Sequence, residues 1–154
     1  MFADPTGRLA LVAAVFVSLY AAHQVADHWV QTQHQADCKG RPGWTGRLAC
    51  AGHVATYTAT GIVFLALLAL VTGWTPDAGP LLAGIAVNAV THYIADRRTP
   101  LRRIAEWTGS ARFYALGTPR PGRDDNPNLG TGAYALDQSW HVGWLFLSAL
   151  IIAA

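Results

Sequence analysis

Charge is scarce in this chain. Only 13% of its 154 residues are Asp, Glu, Lys or Arg, where about 25% is usual for a soluble domain, and 52% are hydrophobic. One domain of this length has too little polar surface here to cover a water-soluble helical bundle. Also missing are a nucleotide-binding glycine loop, a Gly-x-Ser-x-Gly elbow and any solenoid-type repeat. These absences remove the commoner soluble enzyme and scaffold classes.

What is present is a set of long apolar runs. They cover about 9–33, 48–73, 80–96 and 135–154, and their lengths bracket the roughly 20 residues that cross a bilayer as helix. The expected fold is all-α, a transmembrane four-helix antiparallel bundle forming one integral membrane domain. Arg8 ahead of an apolar stretch with small residues at Ala21 and Ala22 also has the form of a signal peptide. The first run is read as a retained helix because it supplies candidate ligands.

Ten of the eleven Lys and Arg residues lie between the first and second runs or between the third and fourth, and Arg8 is the exception. The positive-inside rule places both basic loops in the cytoplasm and both termini outside, in the cell membrane. Cys38 and Cys50 then fall on the side where thiols stay reduced, with no Cys-x-x-Cys spacing. The basic residues flank spans, which accounts for them without a nucleic acid partner. The partner expected is the bilayer itself, with an anionic lipid or lipid phosphate at its surface.

Between the third and fourth runs, Thr99 is a plausible N-cap, Pro100 a first helical residue and Gly109 a stop. Leu101 to Thr108 therefore reads as a short cytoplasmic juxtamembrane helix, with Leu101, Ile104 and Trp107 on lipid and Arg102 and Arg103 at the headgroups. Gly117 to Gly130 reads as a mobile loop by composition.

Ionisable residues interrupt the runs at a helical period. His23 and Asp27, with Gln31 beyond them, His92 and Asp96, and Asp137 and His141 are each four apart and so share a helix face. With alternating chain direction, all of these and His53 fall in the cytoplasmic half. Counted from the outer end of each run, His23, His92 and His141 stand at one depth, about 20 Å at ~1.5 Å per residue. His53 stands farther from that end unless its helix tilts or projects. His28 and His34 are read as interfacial.

Such residues are costly in lipid and should face inward with partners. Four histidines and three aspartates with no buried Lys or Arg leave a negative charge that a divalent cation would neutralise. His and Asp are ligands of zinc, and of iron or manganese. The candidate metal ligands are therefore His23, Asp27, His53, His92, Asp96, Asp137 and His141, for one or two ions. Gln31, Tyr57, Asn88 and Gln138 could orient them. Asp27 or Asp96 could act as general base, and Arg97, Arg98, Arg102 and Arg103 could hold a phosphate.

The strings Ala22-His23-x-x-x-Asp27-x-x-x-Gln31, His53, His92-Tyr93-x-x-Asp96 and Asp137-Gln138-x-x-His141 resemble a family of small bacterial and phage membrane proteins catalogued as a domain of unknown function. More loosely they are similar to membrane-bound metal-dependent hydrolases. The resemblance implies that the seven His and Asp positions belong together. Arg97 and Arg98 stand where lysine is expected nearby, and the Pro- and Gly-rich loop before the last run is long. The function expected is a membrane-embedded metal-dependent hydrolase acting on a phosphate-bearing lipid or lipid-linked substrate. The rivals are a metal-ion or proton transporter or sensor, a b-type haem protein, and a membrane protein whose metal is only structural.

Overall fold

A computed structural model of the chain describes residues 5–122 and 130–154, and the described residues are helical with no strand. The elements are α1 (Pro5–Val25) with a π-helical turn (Ala26–Val30), α2 (Gln33–Cys38), α3 (Gly43–Thr72), α4 (Ala78–Asp96), α5 (Thr99–Trp107), α6 (Ala111–Tyr114) and α7 (Gly132–Ile152). Three helical stretches, Thr6–Val30, Gly43–Thr72 and Ala78–Asp96, are long and apolar enough to cross a membrane. Helix α7 has the length but carries Asp137, Gln138 and His141 in its first half.

Helix α1 packs on α3 and α7, and α4 packs on the same two, so the four long helices close a ring. One end of the ring is filled by Val15, Leu19, Leu65, Leu145, Ala149 and Ile152. Much of the outer surface is apolar instead of charged, with Val17, Ile62, Val63, Leu67, Leu70, Leu82 and Val90 all exposed. Helix α3 stops where Gly73 adopts φ 72°, a left-handed C-terminal cap that glycine takes without a Cβ clash.

Helix α4 approaches α7 closely at Gly84. A Cβ there would run into the Ile152 side chain and lie 2.9 Å from the Ser148 carbonyl oxygen. Small residues let helix backbones approach in this way. Gly84→Val is therefore expected to cost about 1–3 kcal/mol by overpacking, read as earlier thermal unfolding in detergent.

Several boundaries differ from the sequence reading. Helix α3 begins at Gly43, before the apolar run, so it projects beyond the other spans at this end. The first helix does not continue to Gln33. The backbone turns out at Gln31 (ψ 127°), and Thr32 caps α2 in a reciprocal capping box with Gln35. Arg98, not Thr99, precedes α5 as its N-cap, while Gly109 ends that region at φ 79° as expected. Leu101 and Ala105 are buried in the protein, so α5 turns its apolar stripe inward and leaves Trp107 exposed. Leu101 thus does not lie on the outer surface. Of the expected loop, residues 117–122 form turns and irregular chain, and residues 123–129 lie outside the described residues.

Candidate metal centre

The end of the ring opposite the apolar cluster encloses the histidines. His23, His53, His92 and His141 are all buried, and so is Asp96. The four-residue spacings work as helical geometry requires. His23 Nδ1 is 3.3 Å from Asp27 Oδ2, His92 Nε2 is 3.2 Å from Asp96 Oδ2, and His141 Nε2 is 3.6 Å from Asp137 Oδ1. Because α3 projects past its neighbours, His53 reaches the same layer, its Nε2 only 3.0 Å from His92 Nε2. The structure thus brings all seven candidate ligands together.

Within that layer one group of atoms is tighter than the rest. His53 Nε2 is 3.3 Å from Asp27 Oδ1 and 3.3 Å from Asp96 Oδ2. His92 Nε2 lies 3.7 Å from Asp27 Oδ1. These separations lie close to the edge of a tetrahedral shell, about 3.3 Å for bonds of ~2.0 Å. Asp27 Oδ1 and Asp96 Oδ2 are buried and accept no hydrogen bond from a described residue. Buried carboxylate oxygens without donors are costly, and oxygens facing two imidazole nitrogens at ligand spacing are suited to a cation. Such buried His and Asp groups could hold a metal ion. His23, His92 and His141 form another donor triad, and Asp96, Asp137 and His141 a third.

The opposite oxygens of the two carboxylates are engaged elsewhere. Asp27 Oδ2 faces His23. Asp96 Oδ1 is 2.8 Å from the ammonium of Lys39, the only lysine in the chain. This corrects the expectation that no cation is buried beside the acids. Lys39 caps the end of α2 and is only 13% exposed. Arg97 fixes it there, since its guanidinium donates to the carbonyl oxygens of Lys39 and, at 2.6 Å, of Arg41. Three carboxylates against one ammonium leave two negative charges, the complement of a single divalent ion.

The residues expected to orient ligands also arrive. The Tyr57 ring stacks on His92, with 3.8 Å between centroids, and its hydroxyl donates to Asn88 Oδ1 at 3.1 Å. Gln138 Nε2 donates to Asp137 Oδ2 at 3.2 Å, and Gln31 has a buried amide nitrogen without a partner among the described residues. Trp140, which sequence reasoning passed over, donates from its indole to the Thr91 carbonyl at 3.0 Å and so ties α7 to α4 beside the histidines.

The layer opens into a cavity of about 780 Å³, lined among others by Asp27, Gln31, Lys39, Asp96, Asp137 and Gln138. Arg98 alone of the four candidate arginines lines it. Arg97 holds the loop, Arg102 faces Glu106 at 3.6 Å on the exposed side of α5, and Arg103 is also exposed there. His28 is exposed but lines the cavity mouth, whereas His34 pairs with Cys38 away from it.

Residues 15–154 match the family described as "Protein of unknown function (DUF3307)". The chain belongs to that family. The match spans all seven His and Asp positions, in agreement with the family expected from their order and spacing. No curated protein and no solved structure matches. These comparisons show no similarity of this DUF3307 chain to membrane-bound metal-dependent hydrolases.

Proposed function

We propose that the chain is a membrane-embedded metal-dependent hydrolase acting at the cytoplasmic face on a phosphate-bearing lipid or lipid-linked substrate. The four long helices cross the bilayer as an antiparallel bundle, α7 being the fourth span, with α5 lying at the cytoplasmic surface. The basic loops are cytoplasmic, and the start of α1 and the end of α7 face outward. Trp29, Trp44 and Trp107, all exposed at the end that holds the histidines, fit an aromatic belt at that interface.

The observation that carries the reading is the packing of His53, His92, Asp27 and Asp96 donor atoms at 3.0–3.7 Å around two oxygens without hydrogen-bond donors. These four would hold the ion, and the charge count favours one. Zinc suits the donor set and spacing best, with iron or manganese accepted by the same atoms. His23 and Lys39 would keep the two carboxylates oriented from behind. A divalent ion so held supplies Lewis-acid polarisation of a phosphoryl or carbonyl oxygen.

Asp27 and Asp96 have both oxygens committed, one inward and one to His23 or Lys39. Asp137 is the most exposed carboxylate of the layer at 28% and lines the cavity with His141 behind it. That pair is the better placed to take and return a proton, with Gln138 holding the second Asp137 oxygen.

The test is metal analysis of detergent-purified protein beside a screen of phosphoesters, esters and amides. Turnover should disappear on chelation and return with zinc. Asp137→Asn should lower kcat about 10²- to 10⁴-fold with metal content unchanged. Stoichiometric metal without turnover of any such bond would remove the hydrolase reading. Metal uptake into proteoliposomes would then replace it with transport.

A further inference from the structure

We infer that Arg98 is the residue that binds the phosphate group of the ligand, in a subsite at the mouth of the cavity, and that its backbone is held in a strained turn for that purpose. The inference rests on the reading of this cavity as the substrate pocket.

Two residues, Arg97 and Arg98, join α4 to α5. Arg98 has φ 58° and ψ −47°, and the Thr99 N–H donates to the Arg97 carbonyl at 2.6 Å. That is a γ-turn with a positive central φ, a rare and strained conformation. A side chain raises its cost, and arginine, unlike asparagine or aspartate, has no short polar group to offset it. Among the described residues with positive φ, Arg98 is the one that is not glycine. Strain of this kind persists where the surroundings impose it and is often found at ligand sites.

The strain has a visible result. The turn sends the Arg98 side chain back across the α2–α3 loop over Gly40. A Cβ at Gly40 would lie 2.8 Å from Arg98 Cδ and 3.0 Å from Nε. The stem thus passes where any other residue at position 40 would intrude. Unlike Arg97, whose guanidinium is used up on two carbonyls, the Arg98 guanidinium has no carboxylate or carbonyl partner among the described residues. Arg98 lines the cavity together with Lys39, which has N–H groups beyond the one directed to Asp96. The hydroxyl-bearing Tyr114 and Tyr134 line the cavity too. A guanidinium fork and an ammonium beside donors, close to a cation-ready cluster, suit a tetrahedral phosphate oxyanion. A lipid headgroup and a free phosphate offer the same chemistry.

The experiment uses the full chain in phosphatidylcholine nanodiscs, metal-loaded and chelated, with inorganic phosphate as probe in calorimetric titration. Arg98→Ala should weaken phosphate binding about tenfold or more in both states, as loss of a charge-assisted contact predicts. Arg102→Ala and Arg103→Ala should leave it within about twofold. Arg98→Gly should weaken binding as much as Arg98→Ala yet raise Tm by about 2–4 °C, because glycine relieves the turn. Nanodiscs doped with phosphatidic acid should compete with inorganic phosphate if the headgroup is the ligand, and should not if the phosphate is free; both results support the subsite. Phosphate binding unchanged in Arg98→Ala, or a lower Tm in Arg98→Gly, overturns it. Failure of the two readings is separable. Arg98-dependent phosphate binding in a chain that holds no metal sinks the hydrolase and keeps the subsite. Metal-dependent ester turnover without phosphate binding does the reverse.

Discussion

His92→Ala should abolish metal retention, taking the detergent-purified chain from about one divalent ion to none by elemental analysis, and with it any turnover. His92 is central to the cluster by position. Its Nε2 contacts His53 Nε2, Asp27 Oδ1 and Asp96 Oδ2 within 3.7 Å, and its ring stacks on Tyr57. Removing it leaves the two carboxylate oxygens facing one imidazole across an empty volume. Loss of a ligand and loss of shape coincide, so folding must be monitored separately. Tyr57→Phe serves as the comparison, since it keeps the stacked ring and removes only the hydroxyl bond to Asn88. It should retain the ion with a modest loss of stability, on the order of 1 kcal/mol. A His92→Ala protein that still copurifies with stoichiometric metal would move the site to the His23, His141 and Asp137 side of the layer.

Lys39→Met should be the most destabilising single change at the site that replaces no proposed ligand. The Lys39 ammonium and Asp96 are nearly buried, 13% and 4% exposed, and 2.8 Å apart. Deleting one member of such a pair leaves the other charge uncompensated, a loss of about 3–5 kcal/mol. The same removal makes the cluster more negative by one charge. Added zinc should therefore raise Tm more in Lys39→Met than in the unaltered chain, the stabilisation growing with ligand concentration as linkage requires. Thermal unfolding with and without zinc measures both effects. Equal metal-induced shifts in the two proteins would mean that Lys39 does not share the electrostatics of the cluster.

The contrast between Lys39 and His92 shows what was legible in the sequence. His92 and Asp96 announce themselves because their relation is local, one helical turn in an apolar run. The same holds for His23 with Asp27 and for Asp137 with His141. The ion pair from Lys39 to Asp96 joins residues far apart in the chain through a loop, and no periodicity encodes it. His53 was legible by type but not by depth, since the apolar run begins after the residues that start α3. Thr32 and Gln35 did carry a capping-box spacing. That spacing sits directly after an apolar run, where no glycine or proline marks a break between the two helices. The π turn at Ala26–Val30 and the tight turn at Arg98 depend on how helices meet their neighbours, and side-chain pattern alone does not specify either.

The π turn bears on how such a molecule is made. In a chain that crosses the bilayer as proposed, α1 would reach it before His53, His92 or Asp96 exists to receive its Asp27, and an unpaired acid deep in lipid is costly. Asp27 does not sit deep. It lies in the last turn of the helical stretch Thr6–Val30, near the end of the span, where water would solvate it until the later helices arrive. The order of residues along the chain would thus let the first helix insert alone, the polar layer being sealed only when α4 and α7 close the ring.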